Sequence, residues 1–207
     1  MSVILYTNPM SRGRIVRWML EETGADYETR YLGYGPEMST LAYEAINPMR
    51  KVPAIVHDAA VVTECAAICL YLADAFPKAD LAPPLDARAD YYRWMLFAAG
   101  PWEAASTNRS LDVTVPAEKS GMVGYGDFER ARDVMLRAVP ETGYLLGPKF
   151  TALDVYMGSQ ISWGVQFGSI SKTPRLEGYL ERVLTRRAYI RASELDNAAM
   201  ADQGPAG

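Results

Sequence analysis

The sequence predicts an α/β fold followed by an all-helical one. Three observations carry that reading. Short β-rich runs alternate with helical patterns as far as Pro77. The stretch Lys78-Ala-Asp-Leu-Ala-Pro-Pro-Leu-Asp-Ala87 then breaks every periodicity, because two adjacent prolines stop a helix and force extended chain. Beyond it the patterns are almost all helical. The expected organisation is an α/β domain over 1–77, a linker over 78–87 and an all-helical domain over 88–207.

The first domain reads as β-α-β-α-β-β-α. Ser2–Tyr6 is a β-rich run that Thr7-Asn8-Pro9 breaks. Ser11 can cap the next helix, whose apolar face is Ile15, Val16, Met19 and Leu20 and whose end is Gly24. Tyr27–Tyr31 alternates as a second strand. Glu37–Ile46 is a short helix stopped by Asn47-Pro48. Pro53–Val56 and Ala60–Val62 form a hairpin around His57-Asp58, and Glu64–Phe76 is the last helix, with Ile68, Cys69, Leu72 and Phe76 on one face. A sheet with helices on both sides fits this order.

The second domain opens with a long helix, Asp86 to about Ser106, that Pro101 should kink. Leu111–Gly126 is loop-like. Asp127–Val139 is helical. Thr151-Ala-Leu-Asp154 has the form of a capping box, with Phe150 and Val155 at the staple positions, and opens a helix to about Val165. Thr173–Leu184 and Arg187–Leu195 complete the bundle, and Met200–Gly207 reads as a frayed tail.

Composition narrows the chemistry. The chain of 207 residues has two cysteines and one histidine, too few for a four-ligand zinc site, and no Cys-x-x-Cys pair. No metal is therefore expected. The net charge is −4 and neither half is basic, which disfavours a nucleic-acid partner. No apolar run approaches a membrane span, and the start of the chain lacks the basic-then-apolar plan of a signal peptide. A cytoplasmic protein with reduced thiols is the expectation.

Three junctions carry chemistry. In Tyr6-Thr-Asn-Pro-Met-Ser11-Arg-Gly-Arg14 a hydroxyl stands where a strand becomes a helix. Helix N-termini present unpaired N–H groups and partial positive charge, so an anion such as a thiolate is stabilised there. Ser11 as an ordinary N-cap, with Arg12 and Arg14 on a solvated face, explains the same residues. In Asn47-Pro-Met-Arg-Lys51-Val-Pro-Ala54 a proline opens a strand, which suggests a cis bond after Val52 and a backbone able to pair with an extended peptide. In Val62-Thr-Glu64-Cys65 an acid stands at a helix start. Glu64 can accept an ammonium group while the junction's N–H groups take a carboxylate, a pairing suited to the zwitterionic end of an amino acid.

Together these motifs resemble one family, the cytosolic glutathione transferases. The resemblance covers the whole chain. The β-α-β-α-β-β-α part looks like their thioredoxin-like domain, and the helical part with Thr151–Asp154 looks like their C-terminal domain. Asn47-Pro-Met-Arg-Lys-Val-Pro53 and Thr63-Glu-Cys-Ala-Ala-Ile-Cys-Leu-Tyr-Leu-Ala-Asp74 are its most specific strings. The resemblance implies that Ser11 donates a hydrogen bond to the glutathione sulfur, as in serine-type, theta-like members. It implies that Val52 pairs with the cysteinyl part, that Pro53 is the cis-proline, that Lys51 contacts the glycine carboxylate and that Glu64 helps hold the γ-glutamyl group. Cys65 stands where the family usually has serine, and a thiol is the weaker donor.

Tyr6 and Asn8 compete with Ser11 for the sulfur, with Arg12 as a further thiolate contact. No cysteine lies between residues 6 and 14, against the cysteine-type patterns. The resemblance further implies glutathione as co-substrate with no permanently bound cofactor, a small apolar electrophile beside Trp102 and Trp163, and a homodimer. A glutathione-binding carrier or a scaffold with little turnover is the alternative. The electrophile, and the choice among conjugation, peroxidase, dehalogenase and isomerase chemistry, stay open.

Overall fold

A computed structural model describes residues 2–203. The chain folds as two compact units. One runs to Ala82 and resumes at Leu184; the other is Pro83–Val183.

The first unit is built on four strands, β1 (Val3–Thr7), β2 (Tyr27–Tyr31), β3 (Ala54–His57) and β4 (Ala60–Thr63), in the order β2-β1-β3-β4. β1 and β2 are parallel, joined by the helix α1 (Gly13–Thr23); β1–β3 and β3–β4 are antiparallel. The period-2 alternation sends side chains to opposite faces. Tyr6 and Ala54 join Met38 and Tyr43 in a core on one face. On the other, α1 packs with α3 (Cys65–Ala75) over fully buried Val3, Leu5 and Ile55.

The helix expected over Glu37–Ile46 is broken. A 3₁₀ turn at Glu37–Ser39 precedes α2 (Leu41–Glu44), because Thr40 is extended and its hydroxyl accepts from the Tyr43 N–H at 3.3 Å. A capping threonine in mid-pattern restarts the helix rather than continuing it. The Val52–Pro53 bond is cis.

The second unit contains α4 (Ala89–Phe97), a π-turn over Ala98–Trp102 and α5 (Glu103–Ser110). Pro101 lies inside the π-turn, where its missing N–H is absorbed by the wider turn. Next come α6 (Phe128–Arg137), α7 (Ala152–Gln166) and α8 (Pro174–Leu184). The segment read as loop between α5 and α6 includes a 3₁₀ stretch, Ala117–Met122. The capping box at Thr151 forms. Asp154, fully buried, accepts from the backbone N–H groups of Leu145 and Thr151 and from the hydroxyls of Thr151 and Tyr179. Burial lifts its carboxyl above the usual value even though these donors pull it down.

The last helix, α9 (Arg187–Gln203), is longer than expected, and it belongs to the first unit instead of closing the helical one. The reason is chemical. Arg186, just before α9, makes a two-pronged ion pair with Glu22 of α1 at 2.6 and 2.7 Å. Tyr189 meets Trp18 edge-on at 4.9 Å, and Asp196 pairs with buried Arg17. Hydrophobic spacing assigns a helix, but these partners assign its neighbour. Of the tail read as frayed, residues up to 203 continue α9, and 204–207 lie outside the described residues.

Candidate functional site

The turn from β1 into α1 is tightly made. Asn8 is buried and engaged at both ends: its Nδ2 donates to the Leu32 carbonyl at 2.9 Å, and its Oδ1 accepts from the Met10 N–H at 2.9 Å. Gly13 allows the first turn of α1 to lie on β1. A Cβ there would stand 1.8 Å from the Thr7 hydroxyl. Half-buried Ser11 accepts from the Gly13 N–H at 2.9 Å and donates to the Asn8 carbonyl at 2.7 Å. Its hydroxyl thus closes the turn that leads into α1, one residue ahead of the N-cap position, Arg12, which makes no capping bond with its side chain. Hydroxyl rotation can redirect its proton to an incoming acceptor while the oxygen keeps its bond from Gly13.

The competitors for that role are engaged elsewhere. Tyr6 sits on the sheet face away from α1. Its ring packs against Tyr43 at 5.6 Å and its hydroxyl accepts from Arg30 at 3.2 Å. Arg12 is exposed beside Ser11, close enough to Tyr34 for its charge to pull that phenol down, although burial lifts it overall.

α3 brings the third junction to the first. The Cys65 thiol donates to the Arg12 carbonyl at 3.6 Å, so the N-termini of α1 and α3 lie side by side. Glu64, next to it, is exposed and has φ 65° and ψ 116°. A non-glycine residue held there stores about 1–3 kcal/mol of strain.

The second junction is held from behind. Two buried side chains converge on the Lys51 carbonyl: the Tyr43 hydroxyl donates at 2.6 Å and the Asn47 amide at 2.7 Å. The Lys51 side chain is exposed. Among the described residues no hydrogen bond engages the backbone N–H of Val52. Sequence reasoning takes Asn47 only as a helix stop and does not mark Tyr43. An amide directly before a proline that ends a helix is the available signal.

Trp102 and Trp163 lie in the second unit. Trp102 is 2% exposed and packs against Phe128 at 5.6 Å, so its ring belongs to that unit's core, whereas Trp163 is half-buried. Among the described residues no helix is long and apolar enough to cross a membrane, and no group of three or more His, Cys, Asp or Glu is gathered to hold a metal ion.

Comparison with known proteins bears on both the fold and this site. Residues 10–75, which take in the second and third junctions and the first from Met10 onward, match the family description "Glutathione S-transferase, N-terminal domain". Glutathione S-transferase GstA of Escherichia coli is 28% identical over 124 residues, covering 58% of this chain and 61% of GstA. The chain thus aligns with about three-fifths of that relative's length. A glutathione transferase structure from Methylococcus capsulatus superposes with TM-score 0.73 at 27% identity, covering 95% of this chain and 99% of its own. A sphingomonad glutathione S-transferase, solved with glutathione, shares the fold at TM-score 0.71 and 23% identity, covering 94% of this chain and 98% of its own. Residues 10–75 thus match the glutathione transferase N-terminal domain, and the chain shares its fold with glutathione transferases along nearly its whole length.

Proposed function

We propose that the first unit binds glutathione at the paired starts of α1 and α3 and activates its thiol for attack on a small, mostly apolar electrophile. The observation that carries this reading is the Cys65–Arg12 contact. It sets two helix N-termini side by side, with the Ser11 hydroxyl at one and Glu64 at the other. A tripeptide bearing a thiolate, two carboxylates and one ammonium group meets matching partners there. The α1 terminus and Ser11 take the thiolate, the α3 terminus a carboxylate, and Glu64 the ammonium. Lys51 is placed at the other carboxylate, Val52 and Pro53 along the cysteinyl segment, and Cys65 beside the γ-glutamyl end. Arg12 adds a positive field to the sulfur.

The mechanism asks little of the protein. Free thiols have a pKa near 8.5, so few are ionised at neutral pH. Ser11 takes no proton. Turning its hydroxyl from the Asn8 carbonyl to a thiolate exchanges a neutral acceptor for a charged one, which is roughly twice as strong. A fall of one to two pKa units stabilises the anion by roughly 1.4–2.7 kcal/mol. The thiolate then attacks an electrophilic carbon or displaces a leaving group. On the second unit Trp163 is the more accessible of the two candidate tryptophans for the electrophile. The reading extends to a cytoplasmic homodimer.

The test is direct. The purified chain should be retained on glutathione resin, elute with free glutathione, and conjugate chlorodinitrobenzene. Retention without turnover would make it a carrier, and failure to bind would remove glutathione from the reading. Sedimentation should give a dimer.

Glu64 supplies an independent check. Glu64→Gly releases the positive-φ strain and adds glycine's unfolded-state entropy, for a net gain of about 1 kcal/mol in stability. It also removes the carboxylate meant for the ammonium group. Melting temperature should therefore rise while glutathione binding weakens by about tenfold. A variant that is more stable and binds equally well would show that Glu64 has no part in the site.

A further inference from the structure

The Lys51 carbonyl receives two short hydrogen bonds from side chains that are each only 3% exposed, Tyr43 and Asn47. An sp² oxygen has two lone pairs, and here both are taken. A planar trans peptide sets its C=O and N–H in opposite directions. Locking the Lys51 oxygen toward the α2 core therefore aims the Val52 N–H away from it. Asn47 is itself fixed, since its Oδ1 accepts from the Met49 N–H at 3.0 Å, and the ring of Tyr43 is held by Tyr6. Burial pushes the Tyr43 phenol up to about 12, so it stays a donor across the working pH range.

We infer that Tyr43 and Asn47 are positioning residues that set the Lys51–Val52 peptide plane for glutathione, without touching glutathione themselves. The inference rests on the glutathione reading above and deepens it. Without the two donors the peptide is free to turn, and binding must then supply the order that the fold now supplies in advance. Affinity falls as a result. The ionisation of the bound thiol does not change, because Ser11 and the α1 terminus govern it.

Tyr43→Phe keeps the packed ring and removes only the donor. Asn47→Ala removes the other, and either variant alone is informative if its companion folds poorly. Glutathione affinity is measured by titration calorimetry, and the bound thiol's pKa by thiolate ultraviolet absorbance against pH. Each variant should bind glutathione about tenfold more weakly, with an unchanged thiol pKa. Tyr27→Phe, which removes a half-buried phenol from β2 far from Lys51 in the sequence, should bind like the wild type. A purely structural role for Tyr43 and Asn47 would lower melting temperature without this separation of affinity from pKa. Folded variants that bind within twofold of wild type would overturn the inference and leave the glutathione reading intact. So would a shifted thiol pKa at unchanged affinity. If the wild type itself binds no glutathione, the underlying reading fails first.

Discussion

Ser11→Ala is expected to move the pH dependence of conjugation toward alkali by one to two units. The bound thiol loses its hydroxyl partner on the β1–α1 turn and drifts back toward the ordinary thiol pKa near 8.5. At pH 7 the thiolate fraction then falls about tenfold, and turnover at saturating glutathione falls with it. Above about pH 9 both proteins hold ionised thiol, and the deficit should nearly close. That closing is the distinguishing feature. A variant that merely misplaces glutathione stays slow at every pH. The same change deletes the acceptor for the Gly13 N–H, so a stability loss of about 1 kcal/mol should accompany it. Ser11→Thr keeps both the hydroxyl and the acceptor for the Gly13 N–H and should restore most of the profile. Undiminished turnover of Ser11→Ala at pH 7 under saturating glutathione would exclude this role for Ser11.

Ser11 also shows how far the sequence could be read. Its two interpretations, cap and sulfur contact, looked exclusive, yet one hydroxyl oxygen can accept from Gly13 while its proton turns to another acceptor. The strand and helix order was legible because periodicity is a local signal. Pro101 announced an irregular turn for the same reason. What the residues could not show was pairing across long sequence distances. Nothing near Thr40 distinguishes a helix restart from a helix interior, since Thr occurs in both. Nothing near residue 196 reveals that its partner lies on α1, 179 positions away. Tyr43 and Asn47 were hidden likewise: each is an ordinary residue for its element, and only the folded chain shows both aimed at one carbonyl.

Asp196→Ala should destabilise the first unit strongly. Arg17 is 2% exposed and Asp196 1%, and they meet at 2.8 Å. The rest of the guanidinium donates to the hydroxyls of Tyr27, Thr29 and Tyr31. Those neutral acceptors take three of its hydrogens but do not neutralise its charge. Removing the carboxylate leaves a buried cation without a counter-charge, which costs about 3–5 kcal/mol. It should also loosen α9, whose neighbouring Asn197 side chain accepts from Arg14. Yet the pair itself is not expected to contribute much net stability. Among the described residues the second oxygen of Asp196 is buried with no hydrogen-bond partner, so part of its desolvation is never repaid. The double variant Arg17→Met with Asp196→Leu removes both charges at similar volume, and should cost at least about 2 kcal/mol less than Asp196→Ala alone. Urea unfolding of the wild type, the two single variants and the double closes the cycle. A large coupling energy with a small net cost would mean that the pair chooses where α9 docks more than how tightly it does. A double variant as unstable as Asp196→Ala would mean that the hydrogen bonds of Arg17, not its charge, anchor the helix.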